Sequence, residues 1–293
     1  MHPKISIVTP SYNQGQFIEQ TIDSILSQNY PNLEYLIIDG GSTDNSVEII
    51  KKYTKHLTYW SSEPDKGQSD AINKGFNRCS GLIINWINSD DFLLPGSLSF
   101  IAENFKFEKY HAFASSVQNV DAEGHFLHIT DNKNLSAKNL LRWRNNISFH
   151  QPGIWLRNDL VKRCGQLPVN FNHSFDLIYL AHYFSIFPKI KYSDTSTIAF
   201  RLHETSKSVS QKEAFNEDLD RFMNNPIYSG LSKHIKNRML DQEWDRIRSK
   251  ISNKGALRIN WPEIVKFFLY YPQTSWDRKS FSFLFKTIMK KSI

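Results

Sequence analysis

The stretch ISIVTPSYNQGQFIEQTIDSILSQNYPNLEYLIIDGGS, residues 5–42, decides the fold. It opens on a β-branched run, ISIVTP, that reads as a strand ended by Pro10, which has no N–H for a further ladder bond. Phe17, Ile18, Ile22, Ile25 and Leu26 then recur at helical spacing. LEYLIIDGGS is a second strand, stopped by the Gly40–Gly41 pair. Strand, helix and strand in so short a span make a βαβ unit.

Beyond it the alternation continues. STDNSVEIIKKY begins with helix-capping residues and places Val47, Ile49 and Ile50 on a helix. LTYWSSE reads as a third strand, SDAINKGFNRC as a helix, GLIINWINSDD as a strand, and GSLSFIAENF as a helix restarted after Pro95–Gly96. This order predicts an α/β fold with a mostly parallel central sheet flanked by helices. Ligands of such sheets bind beyond the carboxyl ends of the strands. Four polar clusters fall there: Thr9–Asn13, Asp39–Asp44, Glu63–Lys66 and Ser89–Asp91.

From about Tyr110 to Ser210 the pattern is mixed. HAFASSVQNVDAEG reads as a strand and turn, ISFHQPGIWLRND as a strand or loop entering a short helix, and SFDLIYLAHYFSIF as a helix. From about Gln211 the chain reads as mostly helical and rich in Lys, Arg and aromatics. The predicted organisation is therefore a domain over 1–210, in halves 1–100 and 101–210, and a helical extension over 211–293.

The 293 residues are 40% hydrophobic and 14% aromatic, enough for a large core. No apolar run is long enough to span a membrane, and the N-terminus does not read as a signal peptide. Cys79 and Cys164 are isolated, which fits a reducing, cytoplasmic setting. The net charge of +7 is uneven: from Gly230 on there are 14 Lys and Arg against 5 Asp and Glu. In SFSFLFKTIMKK, Phe281, Leu284, Phe285, Ile288 and Met289 share one helical face, with Lys286, Lys290 and Lys291 beside it. Such a tail either packs on the domain or lies on an anionic membrane leaflet. No nucleic-acid module is present.

Asp90 and Asp91 end an apolar strand, where two adjacent carboxylates repel and are costly to desolvate. They read either as a helix cap before PGSL or as ligands that join a divalent cation to a diphosphate. The counter-charge expected for them is an ion that arrives with its ligand. Neither GxxxxGK[ST] nor GxGxxG occurs, so phosphate binding must use a metal or basic side chains, Lys66 and Lys74 among them.

These three stretches, in order (residues 5–50, EPDKGQSDAINKG and WINSDDFLLPGSL), resemble glycosyltransferase family 2. The resemblance is dense over the first hundred residues. It implies a GT-A fold, a nucleotide-sugar donor such as a UDP-sugar, Mn²⁺ or Mg²⁺, and inversion at the anomeric carbon. It implies that Pro10 and Tyr12 border the base and that Asp39 contacts the nucleoside; the polar stretch 62–75 reads as a donor-pocket lining, with Lys66 or Lys74 near phosphate and Asp70 or Lys74 serving where the family's Arg is absent. Asp91 falls on the metal ligand and Asp90 on a ribose contact. Asn88 stands where the motif often has an acid, and Ala71-Ile72-Asn73 where it often has an Arg. In the second half His150 and Gln151 match an acceptor-side pair, and Asp176 matches the catalytic base. His203, with Arg201 and Lys207 nearby, matches a residue that reaches the metal or diphosphate. The implied partners are the donor and a glycan or lipid-linked acceptor; the tail adds a membrane surface if it lies on a leaflet instead of packing on the domain. The expected location is cytoplasmic, and peripheral on the inner face of the membrane if the tail binds a leaflet. Two other readings are open: a nucleotidyltransferase, disfavoured by the lack of a Gly-rich basic loop, and an inactive sugar-nucleotide-binding scaffold.

Overall fold

A computed structural model describes residues 2–141, 149–204, 206 and 212–224. β1 (Ile5–Ser11) and β2 (Leu33–Asp39) run parallel, with Ile5 opposite Leu33 and Ser11 opposite Asp39. The first strand thus passes through Pro10 instead of ending there. The Val8 carbonyl accepts from Ile87, so Pro10, two residues on, faces the same side, beyond the last pairing at Val8. No ladder bond is lost by its missing N–H.

β3 (Tyr59–Ser62) and β4 (Ile83–Trp86) complete a parallel half-sheet in the order β3-β2-β1-β4. β5 (Phe92–Leu93), β6 (Ala112–Val120), β7 (Phe126–Thr130), β8 (Ile154–Arg157) and β9 (Ile190–Arg201) extend it as β8-β6-β9-β5, with β7 also on β6. This second half is mixed: β9 is parallel to β6, while β8, β7 and β5 pair antiparallel. Parallel pairing is confined to the βαβ half and to β6–β9, where crossovers return the chain in the same direction.

Helices α1 (Ile18–Leu26), α2 (Ser46–Lys52), α3 (Gln68–Phe76), α4 (Ser97–Asn104), α5 (Ala137–Leu140), α6 (Asn158–Cys164), α7 (Phe175–Ile186) and α8 (Lys212–Asn224) flank the sheet. α1 buries Ile18, Thr21, Ile22 and Ile25, one face at helical spacing. α3 approaches β1 closely because residue 75 is glycine: a Cβ there would lie 2.4 Å from Val8 Cγ1. α7 is apolar nearly all round and buried accordingly, with Leu177, Ile178, Leu180, Ala181, Tyr183 and Phe184 all inside.

At the amino ends of the parallel strands sits a buried acid, Glu34. It receives the Lys4 ammonium at 2.8 Å, the Ser80 N–H and hydroxyl at 2.7 Å each, and the Ser6 hydroxyl. Burial alone would raise the carboxyl; these donors outweigh it and hold the group at about 2. A depressed pKa means the unfolded state binds protons first as pH falls. Glu34 therefore stabilises the fold fully above the ordinary value of 4.5, and the contribution is lost as pH drops toward 2. Glu34→Gln is expected to cost about 1–3 kcal/mol at pH 7 in urea unfolding. The gap from the parent protein should shrink at pH 3; an equal gap at both pH values would contradict the assignment.

The division drawn at residue 210 falls inside a compact unit that runs Met1–Tyr228. Asp218 of α8 accepts the His173 N–H at 2.8 Å and the Ser174 N–H at 3.3 Å, and Phe222 meets Phe171 edge-on. These bonds serve the start of α7, so the helix after residue 211 belongs with the sheet. The rest of the tail, including residues 261–293, lies outside the described residues. Among the described residues no helix is long and apolar enough to cross a membrane.

Candidate active site

The parallel half-sheet brings the loops after β1 and β2 to one edge, where they are laced together. Asn13, in a left-handed conformation (φ 53°), donates its N–H to the Ser42 hydroxyl, and its side chain accepts from Thr43 N–H at 2.8 Å. The Gly15 N–H donates to Asp44 and the Gln14 N–H to Ser46. Asp39 closes this edge. It is fully buried and accepts from the N–H groups of Gly41 and Ser42 and from the hydroxyls of Ser42 and Ser62. Its carboxylate shapes the loop rather than standing open at the strand end.

Asp65 stands half-buried beside this loop, an acid that the sequence marks only as one member of the Glu63–Lys66 cluster. Burial pushes its carboxyl up. A Cβ on Gly40 would come within 2.9 Å of its Oδ2, so glycine leaves room for this acid. Tyr12 is 60% exposed just past β1, while Pro10 is buried within that strand. Beside them the buried Ser11 hydroxyl has no partner among the described residues, an atom that a ligand could satisfy. Lys66 is exposed. Lys74 is paired with Glu63 at 3.2 Å and lies 3.6 Å from Asp70, so its charge is partly spent within the loop.

The acid pair lies in the turn between β4 and β5, one step past the strand expected to carry it. β5 pairs antiparallel with β9, Phe92 opposite Ala199. This register sets the residues before Phe92 against those after Ala199. Arg201 N–H accordingly donates to Asp91 Oδ1 at 3.1 Å, and His203 Nε2 lies 3.1 Å from Asp90 Oδ2. The two acids differ sharply. Asp91 is buried, and its Oδ2 takes the Asn88 amide at 3.2 Å. Burial and the neighbouring Asp90 charge raise its carboxyl well above the usual range. Asp90 keeps its side chain 20% exposed and turned to the His203 ring, which packs on Phe17 at 4.7 Å.

Asn88 has a clear role. It accepts from the Gln68 amide at 2.8 Å while donating to Asp91. An acid here would set a second charge against a buried carboxylate. The expectation that the pair has no counter-charge in the chain is also corrected: Arg201, buried beneath the turn, supplies one.

The second half contributes unevenly. Gln151 is buried, and its amide donates to Asn85 Oδ1 at 2.8 Å and to the Trp86 carbonyl at 3.3 Å; it ties the turn before β8 to β4. His150 stacks on Phe200 at 4.1 Å, and burial drives its imidazole down to about 4. Asp176 stands half-buried in the first turn of α7, its Oδ1 accepting the Leu177 N–H at 2.7 Å. The segment before α7 reaches the donor-side loop: Asn172 Oδ1 would lie 3.6 Å from a Cβ on Gly67. Lys207 lies outside the described residues. A separate acidic group, Asp121, Glu123 and His125, occupies the β6–β7 turn with ligand atoms within 4.8 Å of one another.

A family model described as glycosyl transferase family 2 matches residues 6–165, from β1 through α6. The chain belongs to glycosyltransferase family 2. Among its relatives are chondroitin synthase of Escherichia coli, 32% identical over 128 residues, and glycosyltransferase GlyA of Streptococcus pneumoniae, 35% identical over 92 residues. The matches cover 43% and 31% of this chain but only 19% and 13% of those proteins.

Solved structures share the family 2 chain's fold at low identity. S. aureus TarS 1–349 in complex with UDP-GlcNAc gives a TM-score of 0.62 at 18% identity, over 90% of this chain and 79% of that one. Mannosyltransferase PcManGT from Pyrobaculum calidifontis, in complex with GDP-Man and Mn²⁺, gives 0.55 at 13% identity, over 99% and 86%. The GT-A architecture expected from the sequence is thereby established. The match to family 2 ends at residue 165, before β9, Arg201 and His203.

Proposed function

We propose that the chain is an inverting glycosyltransferase that moves a sugar from a nucleotide-sugar donor, a UDP-sugar, to a hydroxyl of a glycan or lipid-linked acceptor in polysaccharide or glycoconjugate synthesis. The observation that carries this is the Asp90 carboxylate facing the His203 imidazole at 3.1 Å, past the carboxyl ends of a parallel half-sheet. Family membership, a relative that is a chondroitin synthase and neighbours holding UDP-GlcNAc or GDP-Man support it.

The donor set fits a divalent cation. One carboxylate oxygen and one imidazole nitrogen would suit Mn²⁺ or Mg²⁺. Held by these two side chains, such an ion would supply charge stabilisation to the departing diphosphate. We assign Asp90 and His203 to hold it. Asp91, given that role by resemblance, instead holds the turn, because both its oxygens are engaged inside the protein. Tyr12 offers a face for the base, Asp39 and Asp65 shape the nucleoside end, and Lys66 is available to phosphate. Asp176 takes the proton from the acceptor hydroxyl. A cytoplasmic site, with the basic aromatic tail against a membrane leaflet, completes the proposal.

The test is a thermal-shift screen of UDP-, GDP- and dTDP-sugars with Mn²⁺. A donor present at about 100 times its Kd stabilises the folded state by roughly 2.7 kcal/mol. A metal-dependent rise in Tm with one sugar nucleotide, and slow release of its nucleotide without acceptor, is the expected result. No shift with any of them contradicts the reading.

A further inference from the structure

Arg201 is 2% exposed, and every polar atom of its side chain is engaged. Nε donates to the Asp90 carbonyl at 2.9 Å, Nη1 to the Ala122 carbonyl and Nη2 to Gln20 Oε1, both at 2.5 Å. Its own N–H holds Asp91. The guanidinium lies between the Phe17 and Phe92 rings, 4.8 and 5.2 Å from their centroids. One side chain thus joins α1, the β6–β7 turn and the turn that bears the acids. Phe17 is also the ring that backs His203.

The choice of acceptors is informative. The fork binds the carbonyl of Asp90, not its carboxylate, which is left to face His203. A bidentate pair with the carboxylate would have quenched it. Placed as it is, the cation eases the repulsion between the acids and fixes the backbone from which Asp90 projects.

We infer that Arg201 is the positioning residue of the cation site, holding the Asp90 carboxylate and the His203 imidazole toward a common point before any ion arrives. This rests on the assignment of Asp90 and His203 as the ligands. Charge and geometry make opposite predictions. Arg201 is itself a cation next to the site, so by charge alone its removal tightens Mn²⁺ binding. If it positions the ligands, removal weakens binding, because the backbone that carries Asp90 loses its anchor.

The experiment titrates the full chain with Mn²⁺ alone, following free Mn²⁺ by electron paramagnetic resonance. Arg201→Met and Arg201→Lys are expected to weaken binding about tenfold or more, lysine failing because it keeps the charge but not the fork. Gln20 is exposed, so Gln20→Ala leaves the core intact and carries the test should Arg201→Met not fold. It should weaken binding several-fold through loss of the Nη2 contact. Unchanged or tighter binding in folded Arg201→Lys and Gln20→Ala overturns the inference. Failure of the underlying assignment looks different. The unmodified chain then shows no saturable Mn²⁺ binding that Asp90→Asn removes, and the inference falls with it.

Discussion

Asp90→Asn is expected to abolish metal-dependent turnover, with nucleotide release from the donor falling about a thousandfold or more as the diphosphate loses its charge stabilisation. The decisive comparison is Asp91→Asn. The two residues are adjacent and chemically identical, and resemblance to the family favours Asp91 as the ligand. Their surroundings separate them. Asp91 is buried, its oxygens taken by the Arg201 N–H and the Asn88 amide, and its carboxyl is pushed up by burial and by Asp90. An amide of the same shape can still accept from Arg201 while relieving the repulsion, so Asp91→Asn should retain far more activity. Asp90 points its carboxylate at His203, and on the proposed assignment its replacement removes a ligand outright. Rates measured at rising Mn²⁺ distinguish the two; a tolerant Asp90→Asn beside a dead Asp91→Asn would reverse the assignment.

Asp176→Asn should give the second large loss, with a different signature. General-base catalysis contributes roughly 10²–10⁴-fold, so transfer to acceptor should fall by that factor. Donor and Mn²⁺ binding should stay as they were. The amide oxygen of the substituted side chain can still accept the Leu177 N–H that Asp176 Oδ1 now takes. The start of α7 and the melting temperature should therefore change little. The paired readouts are the transfer rate and the donor-induced shift in Tm. Full transfer activity in this variant would remove Asp176 from the mechanism; loss of the donor shift would make it a binding residue.

The parallel half of the sheet was legible because its strands are short β-branched runs separated by amphipathic helices, each self-announcing within a few residues. β9 was not. IKYSDTSTIAFR puts Ser193, Asp194, Thr195, Ser196 and Thr197 in its middle, where Asp194 and Thr195 are exposed and the pairing with β6 shifts register. Only its last residues carry the buried pattern of a strand, and β5, two residues long, is defined by pairing with it. The site inherited this asymmetry. Asp39, Asp90 and Asp91 stood out as polar residues at strand ends, but which acid faces His203 depends on a strand about 110 positions later. Asp65 was hidden in a polar loop, its one clue being the paired glycine that makes room for it. His150 and Gln151 matched a motif, yet Phe200 and Asn85, distant in sequence, turn them inward.

The two-residue strand β5 carries a consequence for how the protein is made. It clips the acid turn to β9, which leaves the ribosome only after about 110 further residues, or roughly 5–20 s at ordinary elongation rates. Through that interval Asp90 and Asp91 have neither the Arg201 cation beneath them nor His203 across from them. The nascent family 2 segment can form its βαβ layers, but its charge pair stays in water until a long-range closure brings β9 between β6 and β5. The Asp90–His203 pairing proposed to hold a cation is therefore assembled at one late moment of synthesis. A ribosome-bound chain arrested before β9 emerges should lack the Mn²⁺ binding that Asp90→Asn removes from the full chain.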